Sequence, residues 1–430
     1  MRLDQPVPGV WMKFLREIGF LALPALLLLA ELGCGNQYRP VANPIISPGG
    51  QPQTTHFAWV VNYNPNGDGS TTQIDVSGDT NTAVNSMGVG SIAEAFPVNS
   101  LALYVANSGD DTVSEYVPTL SGAITTISLL PGSRPVALGT ALNSTMFVLN
   151  SGGNSMCPGT GSVSAIKTST LSVTSTTCVG HNPTALAQSS SNGFVYIINQ
   201  GDGTVSVLNP AGPTVMGPIT LPTGQTPVSV TASVNGNWIF LVTQGEGTNP
   251  GTLDIFSPTG ANPLAIAASV SLGVGPTFSV IDPNLNRLYV ANTGGDSVSV
   301  FDASNVNPSN SPAIPLLGTA SVGTGPIGIT PLANGSLFYV LNNGSNNVTV
   351  VSANSFSPLT TVALPTGADP VFIASDPTSS KVYVADKGTS ETTIIQTSNN
   401  TITQNIPAPA QVSGCTSSCV LQQPMMILTE

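Results

Sequence analysis

Glu94, Arg134 and His181 bring a carboxylate, a guanidinium and an imidazole to a chain in which only 7% of residues are charged. Held together, the imidazole would act as base toward water, the guanidinium would hold a developing oxyanion, and the carboxylate would orient the imidazole. That set hydrolyses an ester or lactone. His56 and His181 are the only histidines, so an imidazole site has few places to be. Gln225 and Asp369 are further candidates, for a binding rim. The alternative is that Arg134 and His181 are solvated loop residues and that Glu94 reaches solvent at a strand end.

Other chemistries find less support. Asp110, Asp111, Asp202 and Asp296 invite a calcium reading, but each turn supplies one or two acids without the dense ligand spacing of a loop site. Turn chemistry accounts for them equally well. The chain has no GxSxG elbow, phosphate loop, HExxH or CxxC. We expect no metal and no cofactor. The formal charge of −12, from 21 acids and 9 bases, argues against nucleic acid and against anionic lipid as partners.

What must position these residues is a repeat. The phrase stands as WVVN at Trp59–Asn62, YVAN at Tyr104–Asn107, FVLN at Phe147–Asn150 and YIIN at Tyr196–Asn199. It continues as FLVT at Phe240–Thr243, YVAN at Tyr289–Asn292, YVLN at Tyr339–Asn342 and YVAD at Tyr383–Asp386. The closing residues are spaced by 45, 43, 49, 44, 49, 50 and 44, a period in the propeller range. Each phrase (strand B) leads through a Gly/Asn/Asp turn into an alternating Val/Ser run (strand C), the pattern of a hairpin. Pro183, Pro227, Pro276, Pro326 and Pro370 each lie 13 residues before the next phrase and open a short apolar run, strand A. A Thr-rich run such as Leu359–Leu364 supplies an outer strand D. Strand B is apolar on both faces, as a strand between neighbouring sheets must be.

The predicted fold is therefore all-β: a β-propeller of four-stranded antiparallel blades, eight by the count of phrases, with seven as the alternative. The phrase P-x-x-[IAV]…LYVAN…G-[ND]-[ST]-V-S-V-[FIL] resembles the YVTN-repeat propeller family, related to lactonase-like and surface-layer propellers, over roughly residues 57 to 430. The resemblance implies the fold; the family hosts binding proteins and enzymes alike. Closure needs a strand from the other terminus. Pro424–Leu428 resembles a strand A with no B after it, and is expected beside Trp59–Asn62. Asn43–Ile46 competes, but sits 15 residues before Trp59.

In such blades the B–C turns and D–A loops share one rim. Blade 3 offers Ser133-Arg134 there, blade 4 His181-Asn182, blade 5 Gln225-Thr226 and blade 8 Ala368-Asp369, while Glu94 stands in strand A of blade 2. Cys157 falls in the long B–C loop of blade 3 and Cys178 at the end of its strand D, so they are expected to pair. Cys415 and Cys419 would close a small ring in the last D–A loop. A thiolate metal site would need histidine support that only His56 and His181 could give.

The N-terminus reads as an export signal. Lys13 and Arg16 precede the apolar run Ile18–Ala30, too short for a typical membrane span of roughly 20 residues. Met12-Lys13 is a more usual start for such a segment than Met1. Leu32-Gly33-Cys34-Gly35 resembles a bacterial lipobox in which Cys34 would be lipidated, with Glu31 departing from the usual Leu. The expected division is a signal peptide over 1–33, a Pro/Gly-rich tether over 34–55 and the propeller over 56–430. The expected protein is a monomer outside the cytoplasm, an outer-membrane or cell-surface lipoprotein or a secreted protein. It would bind a protein, glycan or small molecule as a scaffold, or act as a lactonase-like hydrolase, and would touch membrane only through a lipid anchor.

Overall fold

The computed structural model describes residues 57–64, 67–95, 102–117, 124–139, 144–212, 214–410 and 422–429. The expected signal segment, Cys34, the competing segment at 43–46, Cys415 and Cys419 lie outside them. Among the described residues no helix is long and apolar enough to cross a membrane.

The strands group into eight four-stranded antiparallel sheets. Blade 1 holds β1 (Phe57–Tyr63), β2 (Asp68–Asp75) and β3 (Thr80–Val89). Blade 2 is β4 (Ser91–Ala95), β5 (Leu103–Asn107), β6 (Thr112–Tyr116) and β7 (Ile124–Ser128). Blade 3 is β8 (Pro135–Leu138), β9 (Thr145–Asn150), β10 (Ser162–Lys167) and β11 (Ser172–Cys178). Blade 4 is β12 (Pro183–Gln188), β13 (Val195–Asn199), β14 (Thr204–Asn209) and β15 (Thr214–Thr220). Blade 5 is β16 (Gln225–Ala232), β17 (Ile239–Gly245), β18 (Pro250–Phe256) and β19 (Ile266–Val274). Blade 6 is β20 (Pro276–Asp282), β21 (Arg287–Asn292), β22 (Ser297–Asp302) and β23 (Leu316–Ser321). Blade 7 is β24 (Pro326–Pro331), β25 (Leu337–Asn342), β26 (Asn347–Ser352) and β27 (Pro358–Ala363). Blade 8 is β28 (Pro370–Ser375), β29 (Lys381–Asp386), β30 (Glu391–Gln396) and β31 (Thr401–Pro407).

The last strand, β32 (Gln423–Thr429), returns to blade 1 and pairs antiparallel with β1, Trp59 opposite Leu428 and Asn62 opposite Pro424. Its register repeats that of every other strand A. In each, the pairing skips the residue that follows the partner of the last residue of the strand-B phrase: Thr184 in blade 4, Thr277 in blade 6, Val371 in blade 8 and Met425 in β32. This shared bulge shows β32 to be the innermost strand of blade 1.

The strand B motif follows from the packing. In β21, Leu288 and Val290 face blade 5, packing with Phe240, Val242 and Leu253, while Tyr289 and Ala291 face blade 7, packing with Ile329, Phe338 and Val340. Both faces are buried, so the strand reads as a continuous apolar run. Among the described residues eight such clusters lie between successive blades. One of them joins Tyr383, Ala385 and Ile394 of blade 8 to Ala58, Val60 and Ile427 of blade 1, so the ring is closed by apolar packing as well as by pairing. The seam carries polar ties too. Buried Gln422 accepts from Ser70 Oγ at 3.2 Å and donates to the Asp68 carbonyl at 3.0 Å. At the other rim Lys381 Nζ meets Asp79 Oδ2 at 2.5 Å, with only 11% and 13% of the two side chains exposed.

Candidate functional site on the B–C and D–A rim

The residue that closes strand B builds this rim. Asn62, Asn107, Asn150, Asn199, Asn292 and Asn342 are all buried. Each donates its amide to strand C: Asn199 to Thr204 Oγ1 (3.1 Å) and Ser206 Oγ (2.8 Å), Asn292 to Ser297 Oγ (3.2 Å) and Ser299 Oγ (3.0 Å). The amide oxygen faces the D–A loop and accepts from Gly88 in blade 2, Gly180 in blade 4 and Gly273 in blade 6. One buried amide thus ties three segments, which satisfies groups that burial would otherwise leave unpaired. Blade 5 departs: Thr243 replaces the asparagine and donates to Gln225 Oε1 at 2.7 Å. Blade 8 departs with Asp386.

The D–A loops come in two forms. In blades 2, 4, 6 and 7 the loop is short and its glycine packs tightly on the strand-B side chain. A methyl group on Gly180 would lie 2.6 Å from Asn199. In blades 3, 5 and 8 the loop opens with Leu-Pro and makes a β-turn, closed by Ser133 N to Leu130 O, Gln225 N to Pro222 O and Ala368 N to Pro365 O. Its third residue, Gly132, Gly224 or Gly367, has φ of 86°, 82° or 78°, the left-handed position that a type II turn gives to glycine. The residue after it turns inward, so Ser133 and Ala368 are buried.

The turn acids bond to backbone N–H groups. Asp110 Oδ2 accepts from Val89 N at 2.5 Å. Asp111 accepts from Gly132 N and Arg134 N, both at 2.7 Å, and so ties the B–C turn of blade 2 to the loop of blade 3. Asp296 Oδ1 accepts from Gly325 N at 2.9 Å, tying blade 6 to blade 7. Among the described residues no three His, Cys, Asp or Glu side chains gather as a metal-binding group.

His181 is the exception in which a turn acid also meets a side chain. Asp202 Oδ2 accepts from the His181 backbone N at 2.7 Å, and Oδ1 lies 2.7 Å from Nδ1. The imidazole is 59% exposed, leaving Nε2 to solvent or a ligand. Asp202 is the carboxylate that meets the His181 ring, a contact the sequence reading did not anticipate. The signal that could have found it is the repeat itself, since the third residue after the strand-B asparagine meets the D–A loop also at Asp110 and Ser345. Glu94 lies on β4 with its backbone opposite Val105, and its side chain is outside the described residues.

Arg134 is exposed on the next loop round the rim, with φ of 50°. Its carbonyl accepts from Ser151 N at 3.0 Å and Ser151 Oγ at 3.2 Å. Asn182 and Asp369 precede their prolines with φ of 46° and 44°, where blades 6 and 7 use Gly275 and Gly325. Asp369 Oδ1 accepts from Asn343 Nδ2 of blade 7 at 3.0 Å. Beside Arg134 the blade 3 loop is stapled by the Cys157–Cys178 disulfide, with the Cα atoms 5.3 Å apart. Buried Asn154 braces the same loop, accepting from Met156 N and Cys157 N and donating to Ser133 Oγ and Ser162 Oγ.

Residues 160–369 match the family described as lactonase, 7-bladed beta-propeller. Among curated proteins nothing matches. Solved structures share the fold. The periplasmic gluconolactonase of Pseudomonas aeruginosa is 15% identical with a TM-score of 0.54, covering 87% of this chain and 99% of its own. A putative 6-phosphogluconolactonase from Bacteroides fragilis is 14% identical with a TM-score of 0.53, covering 88% and 100%. AztD from Citrobacter koseri is 14% identical with a TM-score of 0.59, covering 88% and 98%. The chain is thus a β-propeller of eight sheets, and the stretch from 160 to 369 is similar to a family whose description has seven blades.

Proposed function

We propose that this chain is an extracytoplasmic binding propeller that presents its B–C and D–A rim to a small molecule, glycan or protein. The observation behind this reading is the division of labour on the rim. The side chains that recur from blade to blade are bonded within the frame, while Arg134, His181, Asn182 and Asp369 differ between blades at equivalent places. Gln225 belongs to the same loops, with its oxygen engaged by Thr243. The disulfide supports a compartment outside the reducing cytoplasm. Nucleic acid is a poor partner for a surface whose basic residues beyond residue 56 are Arg134, Lys167, Arg287, Lys381, Lys387 and His181. The test is a glycan and sugar-lactone binding panel run on wild type and on an Arg134→Gly, His181→Ala, Asp369→Asn variant. A ligand retained by wild type and lost by the variant supports the reading; equal retention overturns the role of the rim.

The His181–Asp202 pair, within the stretch that matches the lactonase family, favours a second reading, a lactonase-like hydrolase. His181 would be the base, oriented by Asp202, with Arg134 holding the oxyanion and Glu94 contributing from blade 2. Sugar-lactone hydrolysis by wild type, His181→Ala and Asp202→Asn decides it. Loss of about 100-fold or more in His181→Ala supports the mechanism, and equal rates remove His181 from it.

A further inference from the structure

Blade 8 breaks the rule of the buried asparagine. Asp386 is fully buried where six other blades carry Asn, and its Oδ1 has no hydrogen-bond partner. In blades 2, 4 and 6 the equivalent oxygen accepts from the loop glycine. In blade 8 the Leu-Pro turn puts Gly367 at φ 78° and bonds Ala368 N to Pro365 O instead. In blade 5, which has the same turn, the Gln225 side chain engages the strand-B residue; blade 8 has Ala368 there, buried and without a polar atom.

The surroundings make the proton on Asp386 consequential. Thr393 Oγ1 stands between Asp386 Oδ2 and Asn405 Oδ1 of β31, the latter at 3.0 Å. A hydroxyl has one proton to give. When Asp386 is ionised, Thr393 donates inward to it. When Asp386 is protonated, its own O–H donates to Thr393, whose proton is then free for Asn405. The titratable groups around Asp386 are Glu391, opposite it in the β29–β30 pair, Lys387 next in the turn, and Asp369 in the D–A loop against Gly388. β31 contributes none. Glu391 occupies a place that is Thr112 in blade 2 and Ser297 in blade 6.

We propose that blade 8 carries a proton switch in which protonated Asp386 links strands B, C and D through Thr393 and Asn405, and loss of that proton to solvent turns Thr393 inward and loosens β31 from its blade. Burial is the main influence on Asp386, the Thr393 hydrogen bond opposes it and the Glu391 charge adds to it; together they push the carboxyl up to about 7. The inference holds whatever the rim binds.

Hydrogen exchange of β31 at pH 5 and pH 8, corrected for the intrinsic pH dependence of exchange, reads the switch. We expect protection in the wild-type chain to fall about tenfold or more at pH 8, since one pKa unit corresponds to a factor of ten. Asp386→Asn should hold the linked state at both pH values, because an amide donates to Thr393 as asparagine does elsewhere. Equal protection of wild type at the two pH values, or the same pH dependence in Asp386→Asn, overturns the proposal. A carbon-13 titration of the Asp386 carboxyl in the unmodified chain stands independently of any variant. A midpoint near 7 supports the switch and one near 4 overturns it.

Discussion

Asn292 shows what one buried amide does in this fold. Removing it strands the buried Ser299 hydroxyl and, half-buried beside it, the Ser297 hydroxyl and the Gly273 N–H. Asn292→Ala is expected to cost about 2–4 kcal/mol in urea unfolding, while a change at exposed Asp369 should cost far less. At Asp386 the sign is reversed. The carboxyl titrates at about 7 in the fold against a reference of 3.8, so the folded chain holds the proton between those values. Stability falls as pH rises from about 4 to about 7 and is level above that. Asp386→Asn is therefore expected to raise the melting temperature at pH 8, with the gain vanishing toward pH 4. The same melting temperature as wild type at pH 8 would contradict the assignment.

At the scale of elements, the blade strands were legible in the sequence because their causes are local. The proline of strand A, the two-faced apolar run of strand B and the Val/Ser alternation of strand C each follow from burial and pleat. The tie between B and C was legible in principle, since Asn199, Thr204 and Ser206 recur in spacing as Asn292, Ser297 and Ser299. The rim was not. Which loop bonds to which turn depends on how neighbouring blades sit, so Asp111 meeting Arg134 across blades has no sequence-local signal. The two glycine roles likewise need the fold. Gly367→Ala meets open space but a left-handed backbone, and is expected to cost about 1–2 kcal/mol. Gly180→Ala would place a methyl group against Asn199 and Asp202 and should cost more. The Cys157–Cys178 pairing was readable from blade geometry. Replacing Cys178 by Ser opens a 21-residue separation and is expected to lower stability by about 3 kcal/mol in unfolding without reductant.

The molecule as a whole depends on its seam. Lys381 and Asp79 join blade 8 to blade 1 across 302 residues of chain, and both are largely out of solvent. Lys381→Met leaves Asp79 without its counter-charge, and a loss of about 3–5 kcal/mol in urea unfolding is expected. The more direct question is whether β32 closes the ring. Without it, β1 is an edge strand and the faces of Ile427 and Leu428 against blades 8 and 2 are lost. The deciding measurement is thermal unfolding of the chain truncated after residue 421, with and without a synthetic peptide of sequence QPMMILT. Closure by β32 predicts a sharply lower and less cooperative transition that the added peptide restores. A truncated chain that melts as the full one does would contradict closure by β32 and, with it, the eight-bladed ring.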